Sequence, residues 1–177
     1  MRHTVSWVAF AAVLLAGSAA LAGPPAALEP LGFLIGEWEA AGAGPPGPGS
    51  GRATFSRALQ DRVILRTSYA EYPPSGAAAG SRHDDLLVIY EEQGQGARAD
   101  YYDSEGHVIR YVVASKAAGE ATFVSEPVAG RPRYRLRYSL SKDGVLKGEF
   151  AIAATGEPAV FKSYLAWESR RVPAPAK

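Results

Sequence analysis

The chain has 177 residues, with 19 Lys and Arg against 18 Asp and Glu, and no Cys. A protein that neutralises phosphates carries a basic excess, so this balance points away from nucleic acid. The lack of Cys excludes disulfides, thiolate metal sites and Cys nucleophiles, and the length suits one domain with a buried core.

Met1-Arg2-His3 precede an uncharged apolar run from Thr4 to Leu21, which closes on Ala20-Leu21-Ala22 ahead of Gly23-Pro24-Pro25. A basic start, an apolar middle and a small-x-small exit form the pattern of a Sec-type signal peptide, cleaved here after Ala22. An uncleaved transmembrane anchor is the alternative, because the run approaches the length that spans a bilayer. Gly17, Ser18, Ala19 and Ala20 lower the hydrophobicity towards its end, and no basic stop-transfer flank follows. That favours cleavage, with no stable membrane insertion afterwards. Losing Arg2 leaves 18 Lys and Arg against 18 Asp and Glu. An exported chain without Cys and rich in Ala, Gly and Arg fits the periplasm or secretome of a high-GC bacterium.

Residues 23–30 read as a Pro/Ala linker and residues 172–177 as a frayed tail. Between them, residues 31–171 form one domain. A short helical turn is expected from Leu28 to Leu34, stopped by Gly36. Ten strands follow, at 35–43, 50–58, 62–72, 83–92, 96–103, 107–115, 120–126, 131–140, 144–153 and 160–171. The alternation is clearest where Arg131, Arg133, Arg135 and Arg137 interleave with Pro132, Tyr134, Leu136 and Tyr138. Near the C-terminus, Phe161, Leu165 and Trp167 alternate against Lys162, Glu168 and Arg170. Ten hairpin-linked strands predict an all-β fold: a single antiparallel up-and-down barrel with a short N-terminal helical plug. A two-sheet sandwich is the alternative.

In such a meander the connections alternate between the two ends. Residues 44–49, 73–82, 104–106, 127–130 and 154–159 fall at one end, and the short turns 59–61, 93–95, 116–119 and 141–143 at the other. The expectation is a cup whose mouth is formed by the 44–49 and 73–82 loops. Leu28, Leu31, Phe33 and Leu34 would plug its tight end.

The segment Leu31-Gly32-Phe33-Leu34-Ile35-Gly36-Glu37-Trp38 resembles the Leu-x-x-Leu-x-Gly-x-Trp opening of calycin-type barrels. It is most similar to uncharacterised bacterial lipocalin-like families and more distantly to nitrobindin-type barrels. Tyr102-Asp103-Ser104-Glu105-Gly106-His107 resembles a mid-domain hairpin of the first group. Gly36 would let the chain bend into the first strand and Trp38 would cover the barrel floor, both as structural residues. The nitrobindin-type likeness would imply haem held by a His on the last strand. That strand, Val160 to Trp167, contains no His, so no cofactor is expected.

Past the leader, His83 and His107 are the two His residues. With Asp84 or Asp85, Asp103 and Glu105 they would converge at the mouth, either as a divalent-metal or general-base site or as ordinary turn residues in water. The second reading is favoured, and no metal site is assigned. No Gly-x-Ser-x-Gly elbow or phosphate-cradling loop occurs. Tyr69, Tyr90, Tyr101, Tyr111, Tyr134 and Tyr138 lie in predicted strands, where they supply both surface and hydroxyls to a pocket. Arg66 and Arg110 lie mid-strand and would anchor an acidic head group; the same residues also suit a filled core with surface arginines. The function expected is the binding of a small apolar or amphipathic ligand. The alternatives are a barrel enzyme (isomerase, cyclase or hydrolase) using His and Asp at the mouth, and an envelope interaction module with a filled core.

Overall fold

A computed structural model describes residues 23–44, 47–76, 79–156 and 158–173. The proposed leader, residues 1–22, and residues 174–177 lie outside them. A 3-10 helix, Glu29–Leu34, leads into ten strands: β1 Gly36–Gly44, β2 Gly47–Ala58, β3 Val63–Tyr72, β4 Ser81–Glu92, β5 Gly96–Asp103, β6 Val108–Ala117, β7 Glu120–Ser125, β8 Arg133–Leu140, β9 Val145–Ala153 and β10 Lys162–Arg171. Each strand pairs antiparallel with its sequence neighbours, and β1 pairs with β10, so the sheet closes into an up-and-down barrel without a free edge.

Turn chemistry fixes the register. Gly94, Gly96, Gly106, Gly119 and Gly144 all take positive φ in hairpin connections, a region that costs Gly nothing. Leu59, Gln60 and Asp61 take positive φ without being Gly, so the β2–β3 turn holds three consecutive residues in the left-handed region.

One expectation fails at the mouth. The β1–β2 ladder continues through Gly42↔Gly49, Ala43↔Pro48 and Gly44↔Gly47, so residues 44–49 are largely strand and only 45–46, outside the described residues, connect them. The Pro/Gly composition signalled a loop. Yet Gly is sterically free to pair here, and Pro48 lies at the ladder's end, where a missing N–H costs little. The longer connections at this end are residues 73–80, 126–132 and 154–161.

At the opposite end Leu28, Leu31 and Leu34 are fully buried. Ala27, expected in the linker, is packed into this floor beside them. Trp38 is also buried and donates its indole N–H to the Leu34 carbonyl at 2.7 Å. The Arg171 guanidinium stacks 4.3 Å over the Trp38 ring and donates to the carbonyls of Ile35 and Phe33. It occupies the space beside Gly36, where a Cβ would fall 2.0 Å from Nη1, and Gly36 has φ +133°. Position 36 therefore requires Gly for two separate reasons. The tail is anchored at its start, since the Val172 N–H bonds the Glu37 carbonyl at 2.9 Å.

Alternation fills the floor half of the lumen with Ile64, Leu87, Ile89, Ala99, Tyr111 and Phe123. The outer face carries ion pairs such as Arg98 with Glu92 and Glu126, Arg135 with Glu149, and Lys147 with Glu168.

Candidate functional site

Above the filled half lies a cavity of about 1100 Å³ that opens at the mouth. Its two sides differ in chemistry. Strands β3, β4 and β5 contribute Arg66, Ser68, His83, Asp85, Tyr101 and Asp103; strands β8, β9 and β10 contribute Tyr134, Leu136, Tyr138, Phe150, Ile152, Tyr164 and Trp167.

The ladders dictate the polar side. Ser68 lies opposite Asp85 and Asp85 opposite Asp103, which puts three polar side chains in one row. In the next row Arg66 lies opposite Leu87 and Leu87 opposite Tyr101. Arg66 is 5% exposed, and its guanidinium bonds the Asp85 carboxylate and the Tyr138 hydroxyl. Burial alone would lower its pKa, but Asp85 and Tyr138 outweigh burial and raise it, so Arg66 keeps its charge. Asp85 also accepts from Ser68 Oγ at 2.7 Å. Among the described residues, the buried Arg66 Nε has no hydrogen-bond partner.

Nearer the mouth, His83 Nε2 lies 3.0 Å from the Tyr101 hydroxyl and Nδ1 lies 3.2 Å from Glu105 Oε1. Burial, reinforced by Asp85, pushes the Tyr101 phenol well above its ordinary pKa. Asp103 Oδ1 accepts the N–H groups of Glu105 and His107, and Oδ2 lies 2.9 Å from His107 Nδ1. Burial pushes the Asp103 carboxyl up, but the His107 and Glu105 contacts outweigh it, and the group titrates below the usual carboxylate range. His83, Asp103 and Glu105 each offer a ligand atom within 4.8 Å of the others, a donor set that would suit a divalent ion. Both Asp103 oxygens are already engaged in shaping the turn.

The opposite side is aromatic. Tyr134 stacks on Phe150 with centroids 5.8 Å apart, and Phe150 meets the Tyr164 ring edge-on at 6.3 Å. Tyr138, Gly148 and Trp167 share a row across β8, β9 and β10. The Trp167 ring lies where a Gly148 Cβ would be, 2.1 Å from Cε2, and packs edge-on against Tyr138 at 6.1 Å. Tyr138 joins the two sides: its ring packs against Phe55, Phe123 and Trp167, while its hydroxyl bonds Arg66.

Of the residues expected at the pocket, Arg66, Tyr101, Tyr111, Tyr134 and Tyr138 face the lumen. Tyr69, Tyr90 and Arg110 do not, and strand parity is the reason. Tyr69 pairs across the ladder with Asp84, and Arg82 stacks 4.1 Å over its ring on the outer face while bonding Asp84 and Glu71. Tyr90 faces outward beside Arg98 and Asp100, and Arg110 lies opposite Asp100. Tyr69 and Arg110 still border the cavity, while Tyr90 and Arg110 line a separate outer cleft of about 280 Å³ with Glu92, Arg98 and Glu126. Arg66, expected as an anchor for an acidic head group, has its charge matched by Asp85 instead. His83, Asp85, Asp103, Glu105 and His107 do converge, whereas Asp84 turns outward to Arg82.

Ser68, Gly148, Phe150, Tyr164 and Trp167 were not singled out from sequence as pocket residues. Parity with Arg66 gives Ser68, and a lone Gly inside a strand marks a close approach. Tyr164 left no signal: the register shifts between Ser163 and Leu165, so its neighbours change face. The same bulge separates Phe161, which lies under Arg135 at 4.9 Å outside, from Leu165 and Trp167 inside.

No protein-family model matches the chain, and no curated protein is similar to it.

Proposed function

We propose that this is an exported small-molecule-binding barrel of the lipocalin-like type, holding an apolar or amphipathic ligand in its lumen. The observation that carries this reading is the cavity of about 1100 Å³, apolar and aromatic on one side and polar on the other. Ligand sites are concave, mostly apolar, and fitted with a few placed polar groups that set orientation. The cavity also weighs against an interaction module with a filled core. The charged rows on the outer wall weigh against a lipid-facing barrel, which agrees with export past the membrane rather than residence in it.

The test is saturable binding of a neutral fluorescent probe, N-phenyl-1-naphthylamine, together with native mass spectrometry of protein from its secretion host for a co-purified mass. Ala53 lines the cavity on β2. Ala53→Trp should fill part of the space and weaken probe binding by about tenfold or more, with thermal stability close to that of the parent. Probe binding that is unsaturable, or indifferent to this substitution, would sink the reading.

One observation favours a second reading. Glu105, His83 and Tyr101 form a carboxylate–imidazole–phenol chain that opens on the cavity, an arrangement suited to general acid–base chemistry on a bound ligand. Under this reading His83→Ala abolishes turnover of a bound substrate and largely preserves its binding.

A further inference from the structure

We propose that the mouthward part of the polar side is a head-group subsite for a cation: the protonated amine or quaternary ammonium of an amphipathic ligand whose apolar part lies along the aromatic side. This rests on the ligand-binding reading above and specifies the ligand's polar end.

The deepest charge in the lumen is committed before any ligand arrives. Arg66 is held by Asp85 and Tyr138. Asp103 and Glu105 come next towards the mouth, and among the described residues their ion-pair partners are the His83 and His107 imidazoles rather than Lys or Arg. Neither carboxylate is paired with a guanidinium or an ammonium among the described residues, and both border the cavity. A carboxylate or phosphate head would enter against like charge, whereas an ammonium would be drawn in.

The rings support the same sign. An aromatic face attracts a cation, and the Arg66 guanidinium already lies 5.9 Å from the Tyr101 centroid. Tyr134, Phe150 and Tyr164 line the facing side of the cavity, where the apolar part would lie. The cations near the rim do not reverse the balance. Arg82 is matched by Glu71 and Asp84, and Arg52 lies near Glu37 and Glu39. Arg110 turns outward opposite Asp100, and Arg131 lies on the exposed 126–132 connection.

The experiment uses the exported protein and three ten-carbon probes that differ only in the head: decylamine, decanol and decanoate, at pH 7. Binding is followed by calorimetry and by Trp fluorescence, since Trp167 lies in the cavity wall. Decylamine is expected to bind about tenfold or more tighter than decanoate, and added salt should narrow the gap. Glu105 is exposed and lies apart from the Arg66–Asp85 pair. Glu105→Gln should lower the decylamine-to-decanoate ratio by about three- to fivefold.

Decanoate binding as tightly as decylamine, with decanol still saturable, would overturn the head-group assignment and leave the ligand-binding reading standing. No saturable binding of any of the three would overturn both. Zn²⁺ or Mn²⁺ alone binding one to one, with that binding lost in His83→Ala, would reassign the cluster to a metal and overturn the proposal.

Discussion

Strands β3 to β5 and strands β8 to β10 face each other across one lumen, built on the same pleat, yet they are held in different ways. The first side depends on partners. Arg66, Asp85 and Ser68 bond one another within the wall, Tyr138 reaches Arg66 from the facing wall, and each contact satisfies a group that burial would otherwise penalise. The second side depends on shape: Trp167 packs against Gly148 and Tyr134 stacks on Phe150, contacts that involve no charge. A partnered wall therefore fails when one member is removed, while a packed wall fails when a volume is added or lost.

The largest effect should come from breaking the buried pair on one side only. Asp85→Ala leaves the Arg66 charge buried and unmatched, at a cost of about 3–5 kcal/mol in urea unfolding. Replacing both partners, Arg66→Met with Asp85→Leu, should cost only about 1–2 kcal/mol, because no unmatched charge remains and what is lost is the hydrogen bonding of Tyr138 and Ser68. A double variant as unstable as the single one would mean that the wall does not depend on partnering.

On the packed side, Gly148→Ala forces a methyl into the Trp167 ring and should destabilise by about 1–3 kcal/mol, with a shift in Trp emission as the ring moves. An unchanged emission spectrum would show that the ring does not rest on that glycine. The smallest effect concerns Asp103. A carboxyl held below its unfolded value contributes stability that is fully present above the unfolded pKa and is lost as pH falls through the folded one. Asp103→Asn should therefore flatten the acid limb of the stability profile below about pH 4 and cost about 1 kcal/mol at pH 7. An acid limb that keeps its slope would remove Asp103 from the account.

The barrel was legible in the sequence because period-2 patterning and Gly turns repeat along the whole chain, and because closure follows from ten hairpin-linked strands. The site was legible only in part. Residue type drew attention to Tyr69, Tyr90 and Arg110, but type does not decide face. Arg66 and Tyr69 are three apart, and Arg110 and Tyr111 are adjacent, so a regular strand cannot turn both members of either pair inward. Parity with Leu87 and Ile89 would have placed Asp85 inside. Tyr164 was beyond reach, since a bulge is set by how β9 and β10 settle against each other. The 44–49 segment misled because Pro and Gly were read as loop punctuation, although Gly-rich chain pairs well when its partner strand is equally bare.

Closure of β1 on β10 has a practical outcome. The chain approaches Gly36 through the buried floor and leaves at Val172 beside Glu37, so entry and exit lie side by side, opposite the opening. A tether or fusion at either place would hang from the base and leave the route into the lumen unobstructed. Joining Val172 by a linker to the chain ahead of the floor helix, so that Leu28, Leu31 and Leu34 are kept, and cutting within residues 73–80 should give a circularly permuted barrel with new ends at the rim, where a sensor domain could be coupled directly to occupancy.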